Sequence, residues 1–270
     1  MDDRSLRLVP PILRHKHYTA PSAFTPESLL RESRRQKEVP DTPVPHICIL
    51  DPDGDIVRFL RAAGGARPEA GWACYHSTMD RFDNGGREYG IVGCAVGASY
   101  AVLVAEQLFA SGCRLLVSIT SSGQVATLGP PPYFILIERA LRDEGTSYHY
   151  LPAGPEYVEA DPALLSIAED ALATINTPVE RGATWTTDAP YRETVDAIAA
   201  ARADGILAVE MEAAALYAFA EARRKPVLCF AHVTNQMGQS GDFEKGEANG
   251  ATASLALVRA VTKAYLDALT

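Results

Sequence analysis

Two carboxylates open an otherwise apolar stretch, "AVEMEAAALYAFAEA" at residues 208–222. Met211, Leu216, Tyr217 and Phe219 spread around most of a helical circumference, so the stretch reads as a helix buried on several sides, with Glu210 and Glu212 at its start. Burying a carboxylate is costly unless it is paired or hydrogen-bonded. Residues two apart on a helix do not share a face, so the two carboxylates should do different jobs. The bland alternative is that both favour the positive end of the helix dipole, worth about 0.3–1 kcal/mol when exposed.

Two other stretches carry residues suited to chemistry. "ILDPDGDIVRFL" (49–60) reads as a strand, an acidic glycine turn and a helix carrying Arg58. A glycine at position 54 lets the backbone approach a ligand, amides at a helix start favour anions, and a guanidinium grips phosphate in bidentate fashion. A tight turn with a surface arginine is the plainer reading of the same residues. "SITSSG" (118–123) places hydroxyls and a glycine at a strand end, where they suit hydroxyl- or phosphate-rich ligands. The familiar nucleotide and nucleophile motifs GxxxxGK[ST], GxGxxG and GxSxG are absent. No HExxH or other metal spacing is present among the six histidines. The five cysteines are odd in number and form no CxxC pair, and Cys48, Cys94 and Cys229 sit in apolar runs as small hydrophobes, so neither a disulfide framework nor a metal site is expected.

The elements that must position these groups alternate along the chain. Strands are expected at 46–50, 89–96, 114–120, 133–141 and 226–234, with "SSG" turning the chain after the third. Helices are expected at 99–112, 161–175, 208–222 and 253–269. Continuous apolar strands between helices imply an α/β fold with a sheet covered on both faces. In such sheets ligands bind beyond the carboxyl ends of the strands, which gathers "DPDGD", "SITSSG" and "HVTNQ" on one rim. Residues 1–45 are polar and proline-rich, with one helix N-capped by Thr25, and read as an arm or extra layer ahead of a domain at 46–270. A net charge of −9 argues against a nucleic-acid or anionic-membrane surface. No apolar run approaches the roughly 20 residues that span a bilayer, and the first residues lack a signal-peptide pattern. A cytoplasmic protein is expected.

Taken together, "VEMEAAALY", "GDIVR" and "SSGQV" resemble, in order and spacing, the ribose motif, the GDPxR phosphate motif and the central-strand turn of the nucleoside phosphorylase/uridine phosphorylase family, which also contains nucleosidases. The resemblance runs from about residue 46 to the C-terminus; "RDEGTSYHY" and "TWTTDAPYRET" suggest a uridine-phosphorylase-like branch. It implies a three-layer αβα fold with a central mixed sheet. It also implies phosphorolysis of a nucleoside, with inorganic phosphate as cosubstrate and no metal or organic cofactor. Hydrolysis, or nucleoside binding without catalysis, are the alternatives. By resemblance, Glu212 and Met211 hold the ribose, and Gly54, Arg58 and Ser121 hold phosphate. Glu212 and Arg58 would then carry catalysis, with Ser122, Gly123, Asn235, Arg192 and Tyr191 at the base. His17 would reach the sugar of a neighbouring subunit in a dimer or a hexamer of dimers. Two departures stand out. Ser118 replaces a second phosphate arginine, for which Arg67 or Arg81 of a neighbour would have to substitute. Asn235 replaces the aspartate of purine-cleaving relatives; it hydrogen-bonds a base without acting as an acid, which favours pyrimidine or 6-oxopurine nucleosides.

Overall fold

Apolar runs bounded by glycine and proline become the strands of one ten-stranded sheet. The computed structural model describes residues 9–236 and 243–269. In chain order the elements are α1 (Pro26–Lys37), β1 (Ile47–Asp51), α2 (Asp55–Ala62), β2 (Ala66–Pro68), β3 (Asp80–Asp83), β4 (Glu88–Gly93), α3 (Ala98–Ala110) and β5 (Leu115–Gln124). They continue with β6 (Tyr133–Asp143), β7 (Tyr157–Glu159), α4 (Pro162–Leu172), β8 (Val179–Thr187), α5 (Val195–Ala203) and β9 (Ile206–Glu210). Helix α6 (Ala213–Arg223), β10 (Val227–Gln236) and α7 (Ala251–Asp267) close the chain. None of the described helices is long and apolar enough to cross a membrane.

Strand β5 organises the sheet. Along one side it pairs in parallel with β10, from Leu116 to Gln124. Its other side takes β1 in parallel as far as Ser118, and then β9 antiparallel at Gly123 and Gln124. Between those two partners, residues 119–122 have a strand on one side only. From β10 the sheet passes through β6, β8 and β9 back to β5, which closes a ring of five strands; β4, β3 and β2 extend outward from β1. Helices α3 and α6 pack together, with α1 over α3, while α7 packs against α2 and α4, giving the αβα layers expected from the sequence. Ile49, Leu50, Leu115, Leu116, Val117 and Phe230 are fully buried between them. Each contributes about 1.5–3 kcal/mol by leaving water.

Three expectations need correction. The "SSG" segment does not turn; β5 runs on to Gln124, because β10 follows it through a register shift between Val233 and Asn235 and β9 then takes its free edge. Residues 208–210 are the end of a strand, not a helix, since Ala208, Val209 and Glu210 pair with Thr184, Trp185 and Thr186 of β8. Strand β4 stops at Gly93, and Cys94, expected as a core residue, is exposed with φ +61°, a left-handed conformation in which no strand continues. The arm lies on its own chain. Leu30 of α1 is fully buried, Lys16 Nζ lies 2.7 Å from His149 Nδ1, and the Tyr18 hydroxyl donates to the Tyr148 carbonyl.

Candidate active site

The opening carboxylates sit at the turn between β9 and α6, and their surroundings separate their roles. Glu210 Oε2 accepts the amides of Glu212 and Ala213, both at 2.7 Å, so it caps α6. Its Oε1 accepts from the hydroxyls of Thr184, at 3.1 Å, and Thr186, and the Ala214 amide in turn donates to Thr186. These bonds answer the cost of burying Glu210 and leave it no oxygen to offer a ligand. The division of labour expected from the sequence therefore arises from a strand-to-helix turn rather than from helical faces.

Glu212 occupies the N-cap position of α6 but makes no side-chain cap bond. Its carboxylate reaches across to accept the Gly97 amide at 2.6 Å and the Thr120 hydroxyl at 2.8 Å. Gly97 adopts φ +90°, ψ 147°, which a side-chain-bearing residue reaches only with strain, and that conformation starts α3. Glu212 is only 1% exposed. Burial pushes its pKa up to about 7 and the neighbouring Glu210 adds to this, while the Gly97 amide, the Thr120 hydroxyl and the Met211 amide pull it back. Near neutral pH it is thus poised between acid and carboxylate. Half-buried Met211 lies between the two glutamates.

Alternation along β5 puts Ser118, Thr120 and Ser122 on one face. Thr120 holds Glu212, and the flanking Ser118 and Ser122 hydroxyls are buried with no hydrogen-bond partner among the described residues. An unsatisfied buried hydroxyl costs about 1–3 kcal/mol, so this face is suited to a polar guest. Ser121 lies on the opposite face, across from His232, and Gly123 is opposite Asn235 on β10. The half-buried Asn235 accepts from the Thr234 hydroxyl at 3.4 Å. His232 stacks on Phe134 with ring centroids 4.6 Å apart, and burial together with nearby Lys245 lowers its pKa to about 4.

The β1–α2 turn forms the adjacent part of the rim. Gly54 has φ +75°, and a Cβ there would lie 2.8 Å from Cys94 Sγ and 2.9 Å from Arg58 Nη1, so only glycine fits without displacing both. Arg58 Nη2 donates to Asp55 Oδ1 at 2.6 Å and to the Asp53 carbonyl at 2.8 Å. Lys245 Nζ donates to Asp55 Oδ2 at 2.6 Å and to Asp53 at 3.3 Å. Burial opposes the ionised form of Asp55, yet the hydrogen bonds from Lys245 and Arg58 hold its pKa below the usual carboxylate range. Asp51, buried at the head of the turn, has its pKa raised to about 6 by burial, against the pull of backbone hydrogen bonds.

Other expected residues lie apart from this cluster within the chain. Tyr191 is 99% exposed and Arg192 is exposed, on a single 3-10 turn after β8. Trp185, in the same segment, is a core residue whose Nε1 donates to Asp143. His17 is exposed on the docked arm. Arg67 pairs with Glu88, and Arg81 with Glu69 and Glu88, so both are engaged at their own sheet edge. Sequence reasoning missed Gly97, Asp51 and Lys245 as parts of the cluster. For Gly97 a signal existed, a glycine between a strand and a helix; for Lys245, far along the chain, there was none.

Comparison with known proteins agrees with the fold. The family model described as "Phosphorylase superfamily" matches residues 46–265. No curated protein sequence matches the chain. Among solved structures, the 5'-methylthioadenosine/S-adenosyl homocysteine nucleosidase of Campylobacter jejuni superposes with a TM-score of 0.67 at 15% identity, covering 81% of this chain and 99% of its own. The 5'-methylthioadenosine/S-adenosylhomocysteine nucleosidase of Neisseria meningitidis, in complex with methylthio-immucillin-A, gives 0.63 at 16% identity, with 80% and 98% coverage. With a family model spanning most of its length and a closed strand ring carrying the paired glutamates, the chain belongs to the phosphorylase superfamily.

Proposed function

We propose that the chain cleaves the N-glycosidic bond of a nucleoside and passes the sugar to water. The observation that carries this reading is Glu212, a buried carboxylate with a pKa of about 7, facing the row Ser118–Thr120–Ser122, which runs into the stretch where β5 has no second partner. A carboxylate there accepts hydrogen bonds from vicinal sugar hydroxyls and stabilises the positive charge that builds on the sugar ring as the bond breaks. Met211 would pack against the sugar. Ser122, Gly123 and Asn235 would bind the base. Asn235 supplies a hydrogen bond to the departing ring but no proton. Bases that leave readily as anions, the pyrimidines and 6-oxopurines, therefore suit it best. No metal or organic cofactor enters this scheme.

Water is favoured as acceptor because Arg58 and Lys245, the cations that meet at the β1–α2 turn, are both held by Asp55, and because Ser118 brings a hydroxyl where a second cation would strengthen phosphate. The two solved relatives named above are described as nucleosidases. Phosphorolysis remains the second reading, favoured by Arg58 and the left-handed Gly54 at the start of α2, with Ser121 as the further phosphate contact that the family resemblance implies. A homodimer, or a hexamer of dimers, is the assembly in which His17 would reach a neighbour's sugar.

The test is a panel of uridine, thymidine, inosine, adenosine and methylthioadenosine, incubated with and without phosphate. Free base and the corresponding free sugar at equal rates in both conditions are expected. Ribose 1-phosphate formed only with phosphate would replace water by phosphate as acceptor. No release from any nucleoside would leave a binding protein.

A further inference from the structure

Asp51 stands where β1 runs into α2, with its carboxylate buried. The Gly54 amide donates to Asp51 Oδ1 at 3.1 Å and to the Asp51 carbonyl at 2.9 Å, and the Val57 amide donates to Oδ2 at 2.9 Å. A helix start binds external anions because its first amides lack partners in the helix. At α2 two of those amides, from Gly54 and Val57, already hold an anion, and it is part of the chain. Arg58 and Lys245, the latter reaching the turn from beyond β10, are held by Asp55. Four of the donors that an oxyanion would use at this end of β1, the Gly54 and Val57 amides, Arg58 Nη2 and Lys245 Nζ, are thus engaged by the chain's own carboxylates and carbonyls.

We infer that Asp51 is a specificity-determining residue: it fills the oxyanion position at the start of α2 and so keeps phosphate from serving as acceptor of the sugar. This role rests on the hydrolytic reading above and explains how a turn resembling a phosphate loop serves a reaction with water. A tethered carboxylate competes at a large advantage, because free phosphate must give up translational and rotational freedom to bind and Asp51 does not. Water needs no such cradle.

The experiment compares wild type with Asp51→Asn and Asp51→Ala. Asn keeps the side-chain shape and one acceptor, so it reports even where the smaller residue costs too much stability. Inorganic phosphate is the probe, titrated against chloride at matched ionic strength. Melting temperature reads binding, and chromatography of nucleoside digests reads product. Wild type should show no saturable phosphate stabilisation. Both variants should gain one, together with ribose 1-phosphate beside free ribose. Saturable stabilisation of the wild type overturns the assignment, as do folded variants that ignore phosphate. The two ideas fail separately. A wild type that hydrolyses nucleosides while folded variants ignore phosphate keeps hydrolysis and removes Asp51. Variants that gain phosphate binding, in a chain that cleaves no nucleoside, keep the role of Asp51 in excluding the anion and remove glycosidic cleavage.

Discussion

Replacing Glu212 by Gln should stabilise the protein while disabling it, and the size of the gain should depend on pH. The Glu212 pKa is raised from 4.5 to about 7, chiefly by burial and then by Glu210. At about 1.4 kcal/mol per unit, holding the ionised form in place costs about 3 kcal/mol at alkaline pH. Part of that belongs to the pair with Glu210, so the substitution should recover about 1–3 kcal/mol. Gln keeps the local hydrogen bonds: its oxygen can accept the Gly97 amide and its nitrogen can donate to Thr120. A group whose folded pKa lies above its unfolded value contributes stability that is fully present below the unfolded value and lost as pH rises through the folded one. The gain from Gln should therefore be near zero below pH 4.5 and complete above pH 8. For a chain of this size it amounts to roughly 2–10 °C in melting temperature. Thermal melts of both proteins at pH 5 and pH 8 measure it directly. A gain of equal size at both pH values, or a loss at pH 8, would refute the burial argument. Turnover should fall about 100-fold or more, in the range found on removing one charge-stabilising group.

Three further outcomes are expected. The ionised form of Glu212 is the one that accepts sugar hydroxyls, so kcat/KM should rise with pH between about 6 and 8, and a pH–rate profile that is flat over this range would exclude it as the titrating group. Gly250→Ala should destabilise the fold by about 2 kcal/mol or more, because its φ is +82° and the added Cβ would lie 2.2 Å from His232 Cε1; unchanged denaturant midpoints would contradict this. Arg142→Ala should cost about 3 kcal/mol or more in urea unfolding. It removes the donor shared by the carbonyls of Leu151, Pro152 and Pro155 and by the Ser147 hydroxyl, and Arg142→Lys should rescue only part of this, since an ammonium lacks the fork.

Element type was legible in the sequence wherever one period ruled a long segment. The buried strands β1, β5 and β10, and helices α3, α4 and α7, follow apolar runs and helical spacing, and the chain places them within a few residues of expectation, β5 running longer. Reading failed where tertiary pairing overrode local pattern. Residues 208–210 look helical by composition, but their backbone pairs with β8, and nothing local announces that pairing. Short strands β2, β3 and β7 are too brief to show alternation. The site was partly legible: "SITSSG" contains Thr120, which holds Glu212, and the two glutamates do differ in their surroundings, though a strand-to-helix turn separates them and not the helical faces that the sequence argument used. What stayed hidden were partners distant in sequence. Gly97 lies 115 positions from Glu212, and Lys245 lies 190 from Asp55.

The interruption beside β5 has a consequence for how the chain can change. Along residues 119–122 the main chain on the side away from β10 is unclaimed by any strand, since β1 has ended and β9 has not yet begun. Peptide groups there belong to no side chain, and they stay in place whatever residues occupy the strand. A strand edge made of the polypeptide itself retains its polar character through substitution. The serines and threonine that project from it are then open to exchange, and one such strand can pass among sugars, bases and acceptors over evolutionary time without unmaking the ring that holds it.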